Sequence, residues 1–137
     1  MKAANQYDPI QGEDLERLSN QQLIEQFAVA SKKLGSAVLD SDNRRANRVS
    51  RQIIAIRDVL GRRGRAAMLE LLPLLESKDR FVSYYAATQL IGIIPSKARA
   101  VVEWNAKFGF DAIAGDARMT LIELDRSIRG KSNNEKL

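Results

Sequence analysis

The chain has 137 residues and a net charge of +5, from 22 Lys and Arg against 17 Asp and Glu. It contains no Cys and no His, which excludes disulfides, thiolate metal sites and Cys nucleophiles, and removes the commonest general base and metal ligand. The length fits one domain with its own core. No apolar run is long enough to cross a bilayer, and the opening MKAANQYDPIQGEDLERL lacks the apolar centre of a secretory signal. A cytoplasmic protein without membrane contact is expected. The basic balance favours acidic partners: nucleic acid, an anionic surface or an acidic protein.

Residues 1–18 read as a loose lead-in, with Tyr7, Pro9 and Ile10 placed to dock and Gly12 arguing against a long first helix. Ser19 opens the first confident helix. Ser19 and Gln22 form a capping-box pattern, and Leu18 and Leu23 sit at the staple positions. The helix runs to about residue 39, with Leu23, Phe27, Ala30, Leu34 and Ala37 on one stripe, and Gly35 weakens its second half. Asp40-Ser41-Asp42 is a break that offers several caps. A second helix follows over about 43–61. Ala46, Val49, Ile53, Ile56 and Leu60 recur there at steps of three and four, and Arg44, Asn47, Arg48, Arg51 and Asp58 occupy the opposite face. Gly61 and Gly64 end it among Arg62, Arg63 and Arg65, where positive charge suits a helix C-terminus.

The third helix is expected over about 65–76, with its last turn kinked by Pro73. Asp79 caps a fourth, over about 80–93, whose inward stripe is Val82, Ala86 and Leu90. The Ala86-Ala87 pair keeps this face thin enough for close helix approach. Pro95 ends that helix and Ser96 opens a fifth, with Ala98, Val101, Val102 and Phe108 on its apolar side, Trp104 at its flank and Gly109 as its stop. Gly115-Asp116 opens a sixth, capped by Asp116, with Ala117, Leu121, Leu124 and Ile128 along one face. The polar stretch 130–137 is expected to be a disordered tail. No strand pattern emerges.

Helices in three consecutive pairs, each too small to bury its apolar face alone, imply a stacked all-α fold. The domain is placed at 19–129. Its central pair resembles a HEAT repeat through Leu71, Leu72, Pro73, Leu74 and Leu75, then Asp79, Val82, Ala86, Ala87 and Leu90, with Pro95 and Ala98 like the start of a next repeat. Ser83 departs from the pattern, because HEAT-like sequences often carry Arg there. The order of motifs also resembles the small bacterial family known as domain of unknown function 2019. The resemblance rests on Asp42-Asn43-Arg44 with Asn47-Arg48, on Leu71 to Leu75, on Ala86-Ala87 with Leu90, and on Gly115-Asp116-Ala117-Arg118-Met119-Thr120-Leu121. It covers roughly residues 19–128. It implies a short α-α superhelix, HEAT/ARM-like, of about six helices in three antiparallel pairs, and no assigned activity.

Arg44, Arg48 and Arg51 fall at steps of four and three and project together, which suits phosphate or carboxylate partners. The alternative is a solvated face that keeps the domain soluble. Tyr84 and Tyr85 are placed to border the same concave surface, on the equivalent helix of the next pair, with ordinary packing as their alternative. Asn43 and Asn47 are candidates for satisfying the preceding loop. Asp111, Asp116, Glu123 and Asp125 do not converge as an acid–base pair or hard-metal site. Trp104, Phe108 and Phe110 read as packing. No glycine-rich phosphate loop is present.

The expectation is a non-enzymatic protein-binding module without cofactor or metal, monomeric or homodimeric. Its partner would be bound on the concave face by Arg44, Arg48, Arg51, Tyr84 and Tyr85. A bacterial toxin-immunity protein is the specific version, for which the basic charge argues against a basic nuclease as the toxin. Nucleic-acid binding through the arginine face is the alternative.

Overall fold

The computed structural model of the chain describes residues 12–107 and 112–135. Tyr7, Pro9 and Ile10 of the lead-in, and Phe108, Gly109, Phe110 and Asp111, lie outside the described residues, as do Lys136 and Leu137.

A short helix α1 (Gly12–Leu15) precedes a long pair, α2 (Asn20–Leu39) and α3 (Asn43–Arg63). The capping box that starts α2 is complete: Gln22 N–H donates to Ser19 Oγ at 3.1 Å, and Ser19 N–H donates to Gln22 Oε1 at 2.9 Å. Leu23, Phe27, Ala30, Leu34 and Ala37 are all buried, as the stripe requires. Asp42 caps α3 by accepting from Arg45 N–H at 3.1 Å. Val49, Ile53, Ile56 and Leu60 are buried, while Ala46 is half-buried. The helix passes through Gly61 and ends at Gly64, whose φ of 108° is open to a residue without Cβ.

The pair is antiparallel and pinned at both ends. Arg45 donates to Ser36 Oγ at 3.3 Å and pairs with Asp40 at 3.0 Å, where α2 turns into α3. Arg63 donates to Asn20 Oδ1 at 2.9 Å and to the Glu16 carbonyl at 3.0 Å at the far end, and Arg62 pairs with Glu16 there. Leu15 is fully buried. Leu15 and Glu16, expected to belong to a loose lead-in, are therefore held against the long pair.

The expected third helix is broken, not kinked. It consists of α4 (Arg65–Leu69) and a 3-10 turn (Leu72–Glu76) with Pro73 in its first positions. Pro73 has no N–H to give, and its ring clashes with the carbonyl four residues back. The backbone tightens accordingly into bonds spanning three residues: Glu70 to Ala67, Leu71 to Met68, Leu74 to Leu71 and Ser77 to Leu74.

Helix α5 (Arg80–Leu90) is the centre of the fold. Asp79 Oδ1 caps it, accepting from Phe81 N–H at 2.9 Å and Val82 N–H at 3.2 Å. It packs against the 3-10 turn, α2 and the next helix in the chain. It buries Ser83, Tyr84 and Ala87 as well as the expected Val82, Ala86 and Leu90. It ends sooner than expected, with the N–H groups of both Ile93 and Ile94 directed to the Leu90 carbonyl.

The last pair is α6 (Pro95–Lys107) and α7 (Ala112–Glu135). Arg99 reaches Asp125 at 2.8 Å and Arg118 Nε donates to the Ala106 carbonyl at 3.1 Å, so the two helices run antiparallel. Helix α7 begins before Gly115, which places Asp116 inside the helix instead of at its cap. It continues through residues 130–135, where a disordered tail was expected. The described residues form an all-α fold of consecutive helix pairs without strands. Within it, α5 lies against α2, and α3 has no comparable contact with α5. No helix among the described residues is long and apolar enough to cross a membrane.

Candidate functional site

Helix α3 owes its inner face to Val49, Ile53, Ile56 and Leu60, so Arg44, Arg48 and Arg51 are turned outward in one row, and all are exposed. Other arginines of this domain are engaged: Arg45 with Asp40 and Asp42, Arg57 with Asp58, Arg62 with Glu16, Arg99 with Glu103 and Asp125. The side chains of Arg44, Arg48 and Arg51 have no ion pair or hydrogen bond among the described residues. Ile54, 45% exposed, extends the outward surface by three residues beyond Arg51. Asn47 is exposed on the same side and holds no buried loop.

The row stands at an electrostatic cost. Helix α3 has no acidic residue in its first turn, and Arg44 occupies that turn, where the positive end of the helix dipole disfavours a cation. Like charges three and four residues apart repel by a few tenths of a kcal/mol per pair, roughly 0.2–0.5. Asp40 and Asp42 pair with Arg45 and with none of the three arginines of the row.

The tyrosines do not complete this surface. Tyr84 is fully buried, and its hydroxyl donates to Asp116 Oδ2 and lies 3.1 Å from Thr120 Oγ1, tying α5 to α7. Burial first, then the Asp116 hydrogen bond, holds its phenol well above the usual tyrosine range. This corrects the placement of Tyr84 on a concave contact face: α5 is enclosed on several sides, so the position facing the last pair is interior. Tyr85 is half-buried and meets Tyr84 edge-on, with ring centroids 5.4 Å apart and an interplanar angle of 60°. Burial, then the Asp116 charge, pushes its phenol up to about 12. Since α5 packs on α2 and has no comparable contact with α3, the arginines and Tyr85 do not form the single face expected from equivalent helices.

Of the acidic residues, Asp116 serves Tyr84 and Asp125 serves Arg99. Among the described residues no three His, Cys, Asp or Glu groups are placed to hold a metal ion.

A second feature was not read from the sequence. Trp104 is not packed away but 50% exposed, beside a cleft of about 520 Å³ between the 3-10 turn and α6. Arg80 lies across it, with its guanidinium carbon 6.0 Å from the Trp104 ring centroid and its Nε donating to Asn105 Oδ1 at 3.0 Å. The signal was present in the spacing: Lys97, Ala100, Trp104 and Lys107 recur at three, four and three residues, opposite buried Ala98, Val102 and Asn105.

Fold and surface together define a small all-α domain of paired helices with an outward arginine row. The chain belongs to the family described as domain of unknown function (DUF2019), whose model matches residues 21–125. It is similar to the crystal structure of protein RPA1889 from Rhodopseudomonas palustris CGA009, with 31% sequence identity and a TM-score of 0.78. That similarity covers 82% of this chain and 93% of the other. No curated protein matches the chain.

Proposed function

We propose that this domain is a non-catalytic, cytoplasmic binding module whose α3 arginine row docks an acidic protein surface. The observation that carries this reading is the exposed row of Arg44, Arg48 and Arg51, set against the helix dipole and without intramolecular partners among the described residues. Guanidinium groups form two parallel bonds to a carboxylate, so a partner helix with acidic residues at matching three- and four-residue steps fits the row. Arginine is enriched among residues that dominate interface energetics. A non-catalytic role is supported by the chemistry available: no His or Cys in the chain, and engaged carboxylates at Asp116 and Asp125.

A toxin-immunity role is the specific form of this proposal, and co-purification with a co-expressed neighbouring toxin would support it. Affinity capture from native extract, with and without nuclease, tests the module itself. A protein retained after nuclease treatment supports protein docking. Material lost on nuclease treatment, with affinity falling steeply with salt by a log–log slope of about −0.9 per neutralised phosphate, would replace it with nucleic-acid binding through the same row.

A further inference from the structure

The cleft beside Trp104 is walled by Leu75, Ala100, Val101 and Trp104, at a size within the range of about 300–1,000 Å³ usual for ligand sites. Its buried polar side chains are bonded within the protein. Asn105, fully buried, accepts from Arg80 and donates from Nδ2 to the Val101 carbonyl at 3.0 Å, and Ser83 Oγ donates to the Arg80 carbonyl at 3.2 Å. With Asn105 and Ser83 bonded within the protein and Leu75, Val101 and Trp104 in its walls, the cleft favours an apolar group. The surroundings are basic. Lys97 and Lys107 flank Trp104 in its own helix row, both exposed, and Lys78 lines the cleft. Glu76 is the single carboxylate among the described lining residues.

We propose that this cleft is a docking site for an acidic peptide segment carrying one bulky apolar side chain. The apolar side chain packs against Trp104, Val101 and Leu75, and carboxylates on either side of it meet Lys97 and Lys107. Charge complementarity at the rim sets the register of the segment and suppresses basic competitors. The half-exposed Trp104 supplies the anchor, since tryptophan dominates interface energetics when a partner desolvates it. Single-stranded nucleic acid is the less suited occupant. Such binding stacks successive bases on several aromatic platforms, whereas Trp104 is the one aromatic among the described lining residues, with the Arg80 guanidinium near its ring. This site is independent of the α3 row, and neither proposal depends on the other.

Trp104 is the only tryptophan in the chain, so its emission reports on this cleft alone. The test is selection of nine-residue peptides from a random display library against the full chain, followed by fluorescence titration of synthesised winners. The expected winners carry an aromatic or leucine side chain between carboxylates and change Trp104 emission saturably. The double variant Lys97→Glu/Lys107→Glu binds them about tenfold more weakly, while Lys32→Glu, at an exposed position on α2 outside both surfaces, leaves their affinity unchanged. Absence of enrichment, emission-shifting winners that are neutral or basic, or a set of winners none of which changes the emission would each overturn the proposal. An oligothymidine that shifts the emission where the peptides do not would overturn it in favour of nucleic acid.

Discussion

The ring of Phe81 fills the space beside Gly35 that a side chain there would need: a Cβ on Gly35 would stand 2.2 Å from Phe81 Cγ and 2.4 Å from Cδ2. The glycine that weakens α2 as an isolated helix is what lets α5 approach it. Gly35→Ala gains helix propensity of up to about 1 kcal/mol and loses about 1–3 kcal/mol to overpacking. A net destabilisation of about 1–2 kcal/mol is expected by urea unfolding. Gly115, inside α7, gives the opposite sign, because a Cβ added there would meet nothing within 4 Å. There Gly115→Ala is expected to stabilise by about 0.5–1 kcal/mol.

Tyr84 joins α5 to Asp116 and Thr120, so Tyr84→Phe removes both contacts at nearly constant volume. A loss of about 1–2 kcal/mol is expected. The pH dependence follows from the raised phenols. Folding favours the neutral form of Tyr84 and Tyr85, with Tyr85 at about 12, against about 10 in an unfolded chain. Their contribution is complete below the unfolded value and is lost as pH rises above it, through the folded values. Thermal melts from neutral to strongly alkaline pH are expected to fall in that window, and less steeply for Tyr84→Phe.

Ser31 is fully buried in α2, and its Oγ has no hydrogen-bond partner among the described residues. An unmet buried hydroxyl costs more than the methyl that replaces it. Ser31→Ala is expected to be neutral or to stabilise by up to about 1 kcal/mol, read by the midpoint of chemical unfolding.

Arg44 occupies the first turn of α3, so its replacement separates stability from binding. Arg44→Glu places an anion where the helix dipole favours one and removes the repulsion from Arg48. The isolated protein is expected to gain about 0.5 kcal/mol while partner affinity falls. Parallel thermal melts and binding measurements check the opposed signs.

Helices α2 and α3 were legible because each buries one stripe against the other, which leaves clean three- and four-residue steps such as Leu23, Phe27, Ala30, Leu34 and Ala37. Helix α5 was not, because burial on several sides erases the polar face that would mark its orientation. Tyr84 therefore reads as a surface residue while lying in the interior. The start of α7 was misread because Gly115-Asp116 has the composition of a helix start. Asp116 is instead held by Tyr84, a partner 32 residues away that local pattern does not reveal. The arginine row was legible because exposure follows directly from the stripe on the opposite side of α3. The Trp104 cleft was missed because aromatic residues on an amphipathic helix read first as packing, and its other wall is the 3-10 turn created by Pro73.

Charge reversal of the whole α3 row separates docking of an acidic partner from a merely solvated helix face. The captured partner is titrated against the wild-type chain and the Arg44→Glu/Arg48→Glu/Arg51→Glu variant at constant salt, with circular dichroism on both proteins. The expected result is unchanged helix content with affinity reduced about a hundredfold, since like charges placed across an interface cost several kcal/mol. Equal affinity of the two proteins would rule out docking through the row and leave it as a solvated helix face.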